Sequence, residues 1–235
     1  MTSGAASRVR VYCAEIGGAW ARAGADLLTG EDLARLSGLR RERRRAEYLA
    51  GRALLRFALQ SATGLPAPSH RLRTSVTGKP ECVDGPAVSV SHNGPFAACA
   101  VAPLGEIGID VQLPSPKRRT EDIAREHFTA GENEWLRGRP GDAFYMLWVL
   151  KEAYLKATGA GLAGGLRSLE CSVDGPTIRC RVAAGDTPAL ALYRIGPGFL
   201  GLAATGHRLS PARATFAGAP EAGAMPAISF IASSS

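Results

Sequence analysis

A two-layer α+β fold, with small and mostly antiparallel sheets packed on helices, is what this 235-residue sequence predicts. Three observations carry that expectation. Segments of period-two alternation occur in both halves of the chain, segments of helical period accompany them, and the order runs strands and helix, then helices and strands, in each half.

The elements follow in chain order. Residues 8–16 (RVRVYCAEI) alternate and read as a strand. Apolar residues recur at Leu33, Leu36, Leu49, Ala53, Phe57 and Ala58, so 31–61 reads as helical with an interruption at Gly38, and 64–68 ends the run. Thr77-Gly78-Lys79-Pro80 is a turn sequence. Val88 and Val90 alternate with Ser89 and Ser91, His92-Asn93-Gly94-Pro95 turns, and 96–101 returns as a second strand. A short apolar strand at 107–111 carries Asp110 near its end. The prolines at 114 and 116 mark a break, and a boundary is placed there, giving an N-terminal half over 1–113 and a C-terminal half over 114–210. Helices are expected at 120–127, 130–137 and 141–158, a glycine-rich loop at 158–165, and strands at 168–174, 177–183, 189–195 and 198–204. Residues 211–235, rich in Ala, Gly, Pro and Ser, are expected to form a loosely held tail from which 228–231 can dock. No exact internal repeat is present.

Composition narrows the function classes. At 46% apolar residues the chain can bury a core, which argues against disorder. No window reaches the roughly 18 apolar residues of a membrane span. The opening MTSGAASRVRVYC lacks the basic-then-apolar order of a signal peptide, so a cytoplasmic protein is the expectation. Five cysteines without a C-x-x-C argue against a disulfide framework or a zinc site. A net charge of +7 and a pI near 9.5 favour acidic partners: nucleic acid, phosphorylated ligands or acidic proteins. Much of that charge is local, in Arg35, Arg40, Arg41, Arg43, Arg44, Arg45, Arg52 and Arg56.

Candidate chemistry begins in the helix at 141–158. Met146, Val149, Leu150, Ala153 and Ala157 share one face, while Glu152 and Lys156 neighbour each other on another, one turn after Trp148. Spacing alone favours an ordinary exposed ion pair. A carboxylate beside an ammonium is equally what phosphoryl chemistry requires: one group holds a metal or takes a proton, and the other neutralises phosphate. Asp110 at a strand end suits a hard-metal ligand or a turn cap. Thr129 with Glu132 forms a capping box, and Ser91-His92 opens a turn. Singly, each has a plain structural explanation.

Together they resemble a family. GRALLR at 51–56, GKP at 78–80, SVSHN at 89–93, GID at 108–110, Phe128-Thr129 with Glu132, and WVLKEAYLK at 148–156 followed by Gly159 and Gly161-Leu162 are similar, in order, to the Sfp-type 4′-phosphopantetheinyl transferases. The resemblance implies a monomeric pseudo-dimer of two similar halves with coenzyme A in the cleft between them. It implies Mg²⁺ (or Mn²⁺) held by Asp110 and Glu152, with Glu132 close by, and transfer of phosphopantetheine to a serine of an apo carrier protein. Glu152 is then the base and Lys156 the group that stabilises departing 3′,5′-ADP. Arg52, Lys79, Ser91, His92, Lys151 and Lys156 match positions that contact coenzyme A. One departure stands out: Gln112 occupies a position where many members carry Glu, which leaves the metal site one carboxylate poorer. Three rivals remain: a basic nucleic-acid-binding module, another coenzyme A enzyme such as an acyltransferase, and a non-catalytic relative. The first two leave the acidic residues unexplained.

Overall fold

The computed structural model describes residues 9–17, 24–161, 165–206, 215–218 and 228–234. They form two compact units. The first holds the described residues up to Leu104 together with a strand at 215–218; the second holds those from Gly105 to 206 together with a strand at 228–233.

In the first unit, β1 (Arg10–Glu15), β2 (Leu72–Thr74), β3 (Pro80–Cys82), β4 (Ala87–Asn93) and β5 (Phe96–Ala102) accompany α1 (Gly30–Ser37) and α2 (Glu42–Thr63). The expected helix at 31–61 is thus two helices, and Gly38 caps the first. β4 and β5 form the antiparallel hairpin turned at Gly94, whose φ of 58° suits glycine. β1 adds antiparallel to β5, and β11 (Thr215–Gly218) adds parallel to β1. The apolar face of α2, through Ala50, Ala53, Leu54, Ala58 and Leu59, packs on Tyr12, Val88, Ala97, Cys99 and Val101 of this sheet. α2 stops at Gly64, whose φ of 75° is the left-handed cap. The turn at 77–80 joins β2 to β3, a pair too short to show a sequence period.

In the second unit, β6 (Glu106–Gln112) precedes α3 (Thr120–His127), α4 (Ala130–Leu136) and α5 (Asp142–Thr158), and β7 (Leu169–Asp174), β8 (Thr177–Val182), β9 (Ala189–Ile195) and β10 (Gly198–Thr205) follow. With β12 (Ile228–Ser233) they make one sheet in the order β6-β10-β9-β12-β8-β7. Every pairing is antiparallel except β12 with β8. α5 lies against β6 and β10. A methyl added to Gly108 would overlap Ala153 O of the helix backbone, and one added to Gly201 would overlap Val149 O. These two glycines, on neighbouring strands, let the helix backbone rest directly on the sheet.

The α+β class stands, and each unit has the same plan of a helix on a mostly antiparallel sheet. The division falls between 104 and 105 rather than after 113, because β6 pairs along its whole length with β10; the prolines at 114 and 116 follow the end of that strand. The expected tail supplies a strand to each sheet at β11 and β12. Its residues 211–214, 219–227 and 235, residues 207–210 before it, and residues 162–164 of the glycine-rich loop lie outside the described residues.

Candidate functional site

Alternation along β6 puts Gly108, Asp110 and Gln112 on one face. Along α5, Trp148, Glu152 and Lys156 form a partly exposed stripe on a helix otherwise buried almost all round. The two stripes meet. Lys156 Nζ donates to Asp110 Oδ1 at 2.7 Å and to Ile109 O at 3.0 Å. Gln112 Nε2 donates to Asp110 Oδ2 at 3.3 Å, and Arg118 Nη1 donates to Gln112 Oε1 at 3.3 Å. Glu152 makes no hydrogen bond or ion pair among the described residues. Burial first, and then the negative charge of Asp110, push its carboxyl above the usual range, against the pull of Lys156 and Arg118. A carboxylate raised in this way and left uncommitted is a stronger proton acceptor than an ordinary glutamate.

A second cluster lies in the first unit, around a cavity of about 290 Å³ lined by Arg35, Arg44, Tyr48, Arg52, Gly78 and His92 among others. Arg52 and Arg56 converge on Asp32, their Nε atoms 3.1 Å and 2.7 Å from its two oxygens. Asp32 is also the third residue of the α1 capping box with Thr29. Its burial raises the carboxyl, but the Arg56 hydrogen bond, the Thr29 amide and the two guanidinium charges override that and hold it below the ordinary value. The grip on Nε fixes Arg52 and leaves its Nη1 buried without a hydrogen-bond partner among the described residues; the Tyr48 hydroxyl is buried in the same state. Arg35 and Arg52 both lie over the Tyr48 ring, at 5.9 Å and 5.6 Å from its centroid. Buried donors without acceptors are costly, so a cavity that collects them is shaped for a ligand rich in acceptors. On its rim, Glu47 accepts from Arg43 and stands 3.9 Å from His92 Nδ1.

The structure therefore gathers Asp110, Glu152 and Lys156, and separately Arg52 and His92. Ser91 is buried on β4, and Lys79 is half-buried between Gly78 and Pro80, which both line the cavity. Glu132 and Lys151, expected as a metal-site carboxylate and a coenzyme A contact, are paired with each other in the structure. Both side chains are 0% exposed, with Nζ 2.5 Å from Glu132 Oε1. Lys151 also donates to Leu169 O, while Glu132 accepts from Cys171 N and Thr129 N. The capping box draws the Glu132 carboxylate inward, where the ammonium neutralises it. Sequence reading missed Asp32, Tyr48 and Arg118. A signal for the first existed in the capping-box spacing of Thr29 and Asp32 and the i,i+4 spacing of Arg52 and Arg56.

Among the described residues no group of three His, Cys, Asp or Glu side chains converges on one point. Asp110 and Glu152 are close enough for one charge to shift the other, and such a carboxylate pair fits Mg²⁺ when phosphate oxygens and waters complete the shell. The Gln112 oxygen accepts from Arg118 in this arrangement.

Comparison with known proteins matches both halves. The model of the 4′-phosphopantetheinyl transferase superfamily fits residues 106–196, and that of the 4′-phosphopantetheinyl transferase N-terminal domain fits residues 40–102. The Nostoc 4′-phosphopantetheinyl transferase HetI is 34% identical over 179 residues, 72% of this chain and 74% of HetI. The Synechocystis protein slr0495 is 33% identical over 151 residues, and the chain covers 61% of it. The human L-aminoadipate-semialdehyde dehydrogenase-phosphopantetheinyl transferase is 30% identical over 139 residues, and the chain covers 45% of it.

Proposed function

Because the chain belongs to the 4′-phosphopantetheinyl transferase family, we propose that it transfers the 4′-phosphopantetheine arm of coenzyme A to a serine hydroxyl of an apo carrier protein, releasing 3′,5′-ADP. The observation that carries this reading is the meeting of Asp110, Lys156 and an uncommitted Glu152 of raised pKa on β6 and α5.

The serine oxygen attacks the phosphorus attached to the pantetheine arm. A new phosphoester bond forms, the bond to the bridging oxygen of the diphosphate breaks, and the electron pair leaves on 3′,5′-ADP. Glu152 takes the serine proton, directly or through a water, and its raised pKa matches that task. Lys156, held at Asp110, supplies positive charge where the leaving phosphate becomes more negative. A Mg²⁺ or Mn²⁺ held by Asp110 and Glu152 would add neutralisation of the diphosphate. In the first unit, Arg52 and His92 line a cavity whose unsatisfied donors suit the phosphorylated nucleoside end of coenzyme A, with Lys79 beside it. A basic protein of this charge suits acidic carriers. The same reading includes a monomer working in the cytoplasm, with no nucleic-acid partner.

The test is incubation with coenzyme A, Mg²⁺ and several apo carrier proteins, read by intact mass. A gain of one phosphopantetheine arm is expected, and Glu152→Ala should abolish it. No gain on any carrier overturns the assignment in favour of a binding-only relative.

A further inference from the structure

The loop after β6 returns across α5. Tyr145 pins it: its hydroxyl accepts from Ser115 N at 2.8 Å and donates to Ser115 O at 3.2 Å. Three residues on, the Arg118 guanidinium lies over the Tyr145 and Trp148 rings, 5.8 Å and 5.2 Å from their centroids. From there its Nη1 reaches Gln112 Oε1.

The orientation of the Gln112 amide follows from its neighbours. Arginine only donates, so the atom facing it is the amide oxygen; an ionised aspartate only accepts, so the atom facing Asp110 is the amide nitrogen. Among side chains of this length, glutamine fits both. Glutamate would set a second carboxylate against Asp110, and lysine would set a second cation against Arg118. Gln112 and Arg118 thus form a matched pair, and the amide is an adapter between a cation and a carboxylate. Lys156 holds the other Asp110 oxygen, so the carboxylate is clamped from both sides.

We propose that Arg118 is a positioning residue for the transfer, fixing the Asp110 carboxylate through the Gln112 amide. This rests on the transferase reading given above. Arg118→Ala should lower kcat about tenfold or more, the size of one hydrogen bond to a charged group, with KM for coenzyme A within about twofold. Gln112→Ala cuts the same relay in its middle and should lose as much, and it serves where Arg118→Ala fails to fold. The double variant should be no worse than either single by more than about twofold. Mn²⁺ binding followed by electron paramagnetic resonance, without carrier or coenzyme A, gives a readout independent of turnover. A cation that merely repels metal would, when removed, tighten Mn²⁺; loss of a positioning contact should weaken it several-fold. Tighter Mn²⁺ binding, additive losses, or kcat within twofold of the unsubstituted protein in both singles would overturn the proposal. Absence of transfer by the unsubstituted protein would instead overturn the transferase reading, and the Mn²⁺ comparison still decides the role of Arg118.

Discussion

Replacing Lys151 by methionine separates a buried structural ion pair from a site residue. The ammonium is 0% exposed, 2.5 Å from Glu132 Oε1, and 5.1 Å from the centroid of the Phe128 ring. Lys151→Met fills much of the same volume but strands the Glu132 carboxylate, which keeps only the amides of Cys171 and Thr129, each at 2.9 Å. Breaking a buried pair from one side costs about 3–5 kcal/mol. At roughly 2–4 °C per kcal/mol for a chain of this size, the melting temperature should fall by about 6–20 °C. Glu132→Gln strands the ammonium and should fall comparably. The double variant Lys151→Met/Glu132→Gln removes both charges and should recover several degrees over either single, since replacing both partners is often near neutral. The assay is a thermal melt of all four proteins, followed by transfer rates measured well below each midpoint, where the folded fractions should turn over within about threefold of one another. A Glu132→Gln protein that melts normally but has lost transfer would refute the reasoning and return Glu132 to the metal site.

Three further outcomes are expected. Gly108→Ala forces the backbones of β6 and α5 apart and should cost about 3 kcal/mol or more, seen as a melting point lower by at least about 6 °C; an unchanged melt would refute the close approach. Glu152→Gln should abolish transfer yet raise the melting point near pH 8 in EDTA. A carboxyl whose folded pKa is raised contributes stability at low pH that is lost as pH rises through that pKa, so the gain should vanish at about pH 3, and a lower melting point near pH 8 would contradict the assignment. Asp32→Asn loosens Arg52 and should raise KM for coenzyme A about tenfold while leaving kcat within about threefold. Its destabilisation should be largest at neutral pH and shrink as pH falls through the depressed Asp32 pKa, the reverse of the Glu152 case.

Much of the fold was legible because its long elements carry their own period. α2, α5 and the β4–β5 hairpin show it plainly, and Gly38 and Gly64 mark where helices stop. β2 and β3, at three residues each, are below the length at which alternation means anything. β11 and β12 come from a tail of Ala, Gly, Pro and Ser, and their pairing is supplied by the register of the strands they join. Asp110, Glu152 and Lys156 were legible as a group only through the resemblance of their motifs, since spacing alone favoured an ordinary ion pair and a turn cap. Arg118 was not: it reaches the site because Tyr145, thirty residues from Ser115, folds its loop back, and no local pattern encodes that contact.

The string at 148–156 shows why a motif match and a chemical assignment are different statements. Lys151 and Glu152 are adjacent, and adjacent helical residues point about 100° apart. On α5 that angle separates two environments. Leu147, Lys151 and Leu155 run along the core side, while Trp148, Glu152 and Lys156 run along the open stripe. The first lysine ties α5 to α4 through Glu132 and to β7 through Leu169 O; the second meets Asp110 on β6. Half of the string is therefore required by the fold whether or not the chain transfers anything. A relative could keep Trp148, Lys151 and the Glu132 capping box for stability alone. The discriminating residue is Asp110, because it sits on a different element and meets helix α5 through the Lys156 ammonium and its charge on Glu152. On the proposed transferase reading the chemistry sits where Lys156 of α5 meets Asp110 of β6, and Gln112 with Arg118 is the local solution that keeps Asp110 aimed there.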